Sequence, residues 1–199
     1  MSPSTTSPDF QLRLARMEDV PDLEQLIRLS VHTLQAEHYR PEQRRAALGP
    51  VFGVDRQLIQ DGTYFVVEVK GQIVACGGWS RRKTLFGGDA GRGAEADEDS
   101  ALDPECDAAR IRAFFVHPDW ARRGLGRRLL KACETAALAY GFRQAELVAT
   151  LAGEPFYRAG GYEEVARDEI PLSDGLSLQV VKMSKLLAHS LLVTDSNVL

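Results

Sequence analysis

Residues 117–141, HPDWARRGLGRRLLKACETAALAYG, gather five cations, Arg122, Arg123, Arg127, Arg128 and Lys131, around Gly124 and Gly126. Behind them Leu125, Leu129, Cys133, Ala136, Ala137 and Tyr140 fall at helical spacing and Gly141 supplies a stop, so the stretch reads as a turn entering an amphipathic helix. Ahead of it, ARIRAFFVH (109–117) reads as a strand. A strand, a tight turn and a glycine-bearing helix start form an anion site, because the first N–H groups of a helix have no internal acceptor and the dipole adds partial positive charge. Glycine lets a phosphate approach that backbone. Cations at a helix start oppose its dipole at a cost of a few tenths to about 1 kcal/mol, which an anionic ligand offsets. The competing reading is a solvated basic helix end. GLGRRL is neither the GxGxxG of a dinucleotide site nor a Walker loop, which needs a GK[ST] ending.

The rest of the chain limits what that anion can be. Its 199 residues, 44% hydrophobic and 26% charged, suit one domain, and the net charge of -4 argues against general nucleic-acid binding. Cys76, Cys106 and Cys133 lack metal-ligand or CxxC spacing and read as reduced thiols of a cytoplasmic protein, with no metal expected. Residues 1–9 form a polar lead, and no apolar run is long enough for a signal peptide or a membrane span.

The patterning predicts strands at 10–16, 63–69, 72–79, 109–117 and 144–150, and a hairpin of 162–172 with 176–183 about Ser173-Asp174-Gly175. It predicts a helix capped by Asp19 with Leu23, Leu26, Ile27 and Val31 or Leu34 inward, short helices at Pro41–Leu48, Val54–Gln60 and Pro155–Arg158, and the long helix from Leu125. Residues 87–107 hold eight acids and one base, a charge of about -7, without periodicity, and read as a mobile acidic loop. The domain is expected at 10–184, with a tail at 185–199.

The stretch VHPDWARRGLGRRLL resembles the acetyl-coenzyme A signature of the GNAT N-acetyltransferase superfamily, [QR]xxGx[GA] after a strand ending in Val, on Val116, Pro118, Gly124 and Gly126. Ala121 stands where Gln or Arg is usual, which weakens one side-chain contact while leaving the backbone amides in place. A second block, LVATLAGEPFYRAGGYEEV (147–165), is similar to a later family segment, with Phe156, Tyr157, Gly161 and Tyr162 in register, Gly153 replacing an Ala, and Ala152 where Asn is common.

The resemblance implies an α+β fold: a mostly antiparallel twisted sheet, flanked by helices, whose central strands splay to admit acetyl-CoA. Backbone groups of Phe114, Phe115 and Val116 would bind the pantetheine arm and polarise the thioester. Amides of Arg122, Arg123, Gly124, Leu125, Gly126 and Arg127 would hold the pyrophosphate, and Tyr157 would protonate the departing thiolate. The implied activity is acetyl transfer from acetyl-CoA to a primary amine of a small molecule or peptide; the alternative is an acetyl-CoA sensor without turnover. No nucleic-acid or membrane partner is expected, and a homodimer is allowed.

For the acceptor side, Arg110 and Arg112 alternate onto one strand face, so they either read a substrate carboxylate or phosphate or bridge to the acidic loop. Tyr39 and Trp79 are candidates for the pocket wall. The general base is unassigned among Glu37, His38, Glu42, Asp107 and ordered water.

Overall fold

The structure is a computed structural model and describes residues 10–91 and 100–187. Seven strands, β1 (Gln11–Leu14), β2 (Tyr64–Val69), β3 (Gln72–Ser80), β4 (Ala109–Val116), β5 (Gln144–Thr150), β6 (Glu163–Pro171) and β7 (Ser177–Leu186), form one sheet in the order β1-β2-β3-β4-β5-β7-β6. Every neighbouring pair is antiparallel except β4 and β5. Three helices, α1 (Val20–Leu34), α2 (Pro41–Ala47) and α3 (Arg56–Gln60), precede β2; α4 (Leu125–Tyr140) connects β4 to β5, and α5 (Glu154–Ala159) follows β5. The architecture is the expected α+β one. Among the described residues no helix is long and apolar enough to cross a membrane.

Each face of the sheet buries its own core. On one, Leu23, Leu26, Ile27 and Val31 of α1 pack with Leu58, Tyr64, Val66, Cys76, Phe115 and Leu178. On the other, Leu130, Cys133 and Ala137 of α4 pack with Ile111, Ala145, Leu147, Tyr157 and Met183, while Leu125 and Leu129 seat against Val67, Val74 and Ala75. Burying a Leu or Val side chain is worth about 1.5–3 kcal/mol, so α4 is anchored across β2, β3 and β4 at the end that carries its basic start.

Four expectations change at the edges. The first strand is shorter than 10–16, and Leu12 and Leu14 are exposed because β1 is an edge strand with nothing over that face. Asp19 occupies the N-cap position of α1, but its carboxylate makes no cap bond there and is held instead by the Arg13 guanidinium at 2.7 Å and by the Arg16 N–H at 2.8 Å. Tyr140 is half exposed at the end of α4, and Leu130 takes the buried place. The last strand runs past 184 to Leu186, since Gln144 pairs with Leu186 and the Leu187 N–H reaches the Arg143 carbonyl at 2.8 Å.

Of the acidic stretch 87–107, residues 92–99 lie outside the described ones. The described flanks are tied down. Asp89 accepts from the Arg56 N–H at 3.0 Å and its guanidinium at 2.6 Å, and the Gly88 N–H donates to Pro50. On the return, Leu102 is buried and its N–H donates to the Arg81 carbonyl.

Candidate active site

β4 and β5 pair only at Ala109↔Ala145 and Arg110↔Glu146. Beyond those positions β4 continues to Val116 along β3, and β5 continues to Thr150 along β7, so their facing edges part. A break in the β3–β4 register accompanies the parting. Cys76 faces Phe115 but Gly78 faces Arg112, which inserts an extra residue into β4, and Ala113 has a left-handed φ of 59°. A bulge bends its strand and strengthens its twist, here leaving β4 with an unpaired edge beside β5.

At the open end of this gap, β4 leads through His117 and a 3-10 turn, Pro118–Trp120, into the basic stretch. Arg122 (φ 63°) and Gly124 (φ 82°) both adopt left-handed backbone, a turn geometry that directs successive amides to one side. Among the described residues, the amides of Arg122 through Arg127 have no backbone acceptor; the first bond of the helix is Arg128 N–H to the Gly124 carbonyl at 3.1 Å. A Cβ at Gly124 would meet nothing within 4 Å, so open space lies over the turn. Gly126 differs: a Cβ there would stand 3.1 Å from the Phe156 ring, so this glycine also serves the packing of α4 on α5.

The five cations are exposed, and among the described residues none of them makes an ion pair. Arg123 stacks over Trp120 at 4.8 Å and Arg128 over Phe10 at 5.4 Å, with the Phe10 and Trp120 rings edge to face at 5.8 Å. Arg122, Arg127 and the unpartnered amides therefore make a positive, donor-rich surface. Such a surface can hold an anion.

Tyr157 reaches the gap from α5. Its ring contacts Phe156 at 4.8 Å, Tyr162 at 5.9 Å and, across the opening, Phe114 of β4 at 6.1 Å. It is buried, and burial raises its phenol above the ordinary tyrosine range, with the nearby Cys133 thiol adding to the shift. The hydroxyl stays protonated at neutral pH. Ion pairs from Glu154 to Arg167 (2.7 Å) and from Arg158 to Glu164 (2.5 Å) hold α5 against β6.

Phe115 and Val116 pair with Cys76 and Ala75, and the Phe115 side chain lies in the core against Phe52 at 6.3 Å. A strand residue in an antiparallel ladder directs its N–H and C=O to one edge and the next residue to the other, so only alternate backbone groups of 114–116 face β5.

The acceptor candidates are placed differently from their sequence reading. Arg112 is 5% exposed; its guanidinium meets Asp55 at 2.8 Å and donates to the carbonyls of Thr84 (2.9 Å) and Gly87 (2.6 Å), which takes it out of reach of a substrate. Arg110 forms an ion pair with Glu146 on the adjacent strand. Trp79 packs on Phe142 at 6.1 Å and Tyr140 at 5.7 Å, on the α4 face near the end of that helix, away from the gap. Tyr39 is a brace: its hydroxyl donates to the Gln179 carbonyl at 2.6 Å and accepts from the Leu151 N–H at 2.9 Å, and burial pushes its pKa up to about 12. Beside it, Leu151, Asp168, Glu169, Gln179 and Val180 line a cleft of about 370 Å³ at the end of β5.

Of the base candidates, Glu37 and His38 are exposed after α1, Glu42 lies 3.4 Å from Arg40, and Asp107 accepts from the Asp103 N–H. None of them enters the gap between β4 and β5. Asp55, which no local pattern singles out, both caps α3 through the Gln57 N–H and pairs with Arg112. Gly77 and Gly78 do carry a local signal, since paired glycines inside a strand mark a bulge or a close approach.

A sequence model of the acetyltransferase (GNAT) domain matches residues 60–164, just over half of the chain. Among solved structures, a GCN5-related N-acetyltransferase from Rhodopseudomonas palustris is 21% identical, covering 94% of this chain and 100% of that one with a TM-score of 0.65. The paia N-acetyltransferase of Thermoplasma acidophilum, in complex with coenzyme A, is 13% identical with a TM-score of 0.61, covering 89% and 99%. The ribosomal-protein-S18-alanine N-acetyltransferase of Escherichia coli is 15% identical with a TM-score of 0.54, covering 96% and 100%. Among curated protein sequences none matches significantly.

Proposed function

The chain belongs to the GNAT acetyltransferase family, and from that membership we propose that it transfers the acetyl group of acetyl-CoA to a primary amine of a small molecule or peptide, by direct attack in a ternary complex. The observation that carries the reading is the opening between two adjacent parallel strands, β4 and β5, with the turn of unpartnered amides at its mouth.

Acetyl-CoA supplies an acetyl group already activated as a thioester. The amides of Arg122 through Arg127, with the charge of Arg122, Arg123 and Arg127, hold the pyrophosphate. The free edge of β4 at Phe114, Phe115 and Val116 binds the pantetheine arm as an added strand, and a preorganised N–H aimed at the thioester oxygen contributes a few kcal/mol, roughly 3, as negative charge develops there. Tyr157 Oη donates its proton to the sulfur as the carbon–sulfur bond breaks; the amine nitrogen, once bonded to the acetyl carbon, gives up a proton to solvent, from which the phenolate is reprotonated. One structural relative holds coenzyme A and another is an alanine N-acetyltransferase, which supports both the coenzyme and an amine acceptor.

The test is turnover by the full chain with acetyl-CoA and a panel of amino acids, diamines and peptides with free N-termini. The expected result is amine-dependent release of the coenzyme thiol and a product heavier by one acetyl group. Acetyl-CoA binding without transfer to any amine would favour a sensor instead.

A further inference from the structure

Tyr64 of β2 and Cys76 of β3 are 0% exposed, and neither has a part in the site described above. Their polar atoms converge on one backbone group. Tyr64 Oη lies 3.2 Å from the Ala113 carbonyl oxygen and 3.2 Å from Cys76 Sγ, and Cys76 Sγ lies 3.9 Å from the same oxygen. Ala113 is the left-handed residue of the bulge. A buried hydroxyl or carbonyl left without a partner costs about 1–3 kcal/mol, so the phenol and the bulge each hold the other in place. Burial pushes the Cys76 thiol up to about 12 and the Tyr64 phenol well above its ordinary value, so both groups are neutral donors at any physiological pH.

The clamp controls the next peptide group. Among the described residues no peptide bond is cis, so the Phe114 N–H points opposite to the Ala113 C=O and therefore away from Tyr64. The Phe114 side chain is fixed as well: its ring lies over Gly77, where a Cβ would stand 2.7 Å from two ring carbons, and it also meets the Tyr157 ring. Both the amide and the ring of Phe114 are thus oriented from behind, by β2 and β3.

We propose that Tyr64 and Cys76 are positioning residues, which clamp the Ala113 carbonyl and so hold the Phe114 N–H at the angle from which it donates to the thioester oxygen. This rests on the transferase reading above. The pair touches neither coenzyme nor acceptor, so its loss should appear in the chemical step and not in coenzyme binding.

Tyr64→Phe removes one oxygen and keeps the ring in its socket. The expected result is a kcat lowered about 10- to 100-fold, as for a slight misplacement at the reacting atoms, with the acetyl-CoA Kd within about twofold of wild type. In the protein without ligand, the Phe114 amide resonance should shift or split, while those of β6 and β7 stay in place. Cys76→Ala, which leaves the shorter phenol contact intact, should lower kcat less than Tyr64→Phe does. A Tyr64→Phe protein whose Phe114 resonance is unmoved overturns the clamp, as does one that loses kcat only in step with coenzyme affinity. If the wild-type protein transfers no acetyl group, the transferase reading fails, and the Phe114 resonance alone still decides whether the clamp exists.

Discussion

The rings of Phe114 and Tyr157 meet edge to face with centroids 6.1 Å apart, and that contact spans the gap left where β4 and β5 stop pairing. One partner belongs to the strand edge proposed to take the pantetheine arm. The other carries the hydroxyl proposed to protonate its sulfur.

Tyr157→Phe keeps this ring contact and removes only the acid. Steady-state kinetics should show kcat reduced about 10²- to 10⁴-fold, with the coenzyme KM nearly unchanged. Because burial raises the Tyr157 pKa, the phenol holds its proton beyond the ordinary tyrosine range, so the wild-type kcat should show no alkaline loss from this group up to about pH 10. A decrease smaller than about threefold in the variant would mean that the thiolate leaves without this acid.

Arg112 tests whether the buried pair is architecture or substrate recognition. Arg112→Ala takes the cation from buried Asp55 and a donor from each of the carbonyls of Thr84 and Gly87, and breaking a buried pair in this way costs about 3–5 kcal/mol. Urea unfolding should show that loss. A variant of wild-type stability with a raised acceptor KM would instead return Arg112 to the substrate.

Asp61 should give the β3–β4 connection an acid-sensitive anchor. The Arg82 guanidinium, at 2.7 and 2.9 Å, holds this carboxylate below the ordinary range, with Gln57 helping and burial opposing. A carboxyl whose folded pKa is depressed adds stability above its unfolded value, near 3.9, and loses it as pH falls through the folded one. Asp61→Asn should therefore be less stable than wild type by about 1–3 kcal/mol at pH 7, and the difference should narrow below about pH 4. A difference that stays constant from pH 7 to about pH 3 would assign the loss to packing.

What could be read from the sequence follows from where the information lies. Local periodicity and turn chemistry placed α1, α4 and the strands within a few residues, and the turn at Gly124 was legible because a left-handed glycine and unpartnered amides are local properties. The roles of Arg112 and Trp79 were not legible. Alternation puts Arg112 on a strand face, but only the tertiary fold shows that Asp55, 57 positions earlier, waits beneath it. Trp79 sits at a strand end with nothing local to distinguish a pocket wall from the packing it finds on Phe142. The bulge at Ala113 had its signal in the partner strand, at Gly77-Gly78, and not in β4 itself.

The most direct test of the coenzyme site is calorimetric titration of acetyl-CoA into the wild-type protein, Gly124→Ala and Gly124→Glu. Both variants carry the same left-handed strain at φ 82°, of order 1–2 kcal/mol, and neither Cβ meets a neighbour, so the pair isolates the added bulk and charge. The expected result is one site per chain in the wild type, a modest loss in Gly124→Ala, and a Kd at least about 100-fold weaker in Gly124→Glu, whose carboxylate would stand where the pyrophosphate is proposed to bind. Equal affinities for the two variants, or no binding by the wild type, would contradict it.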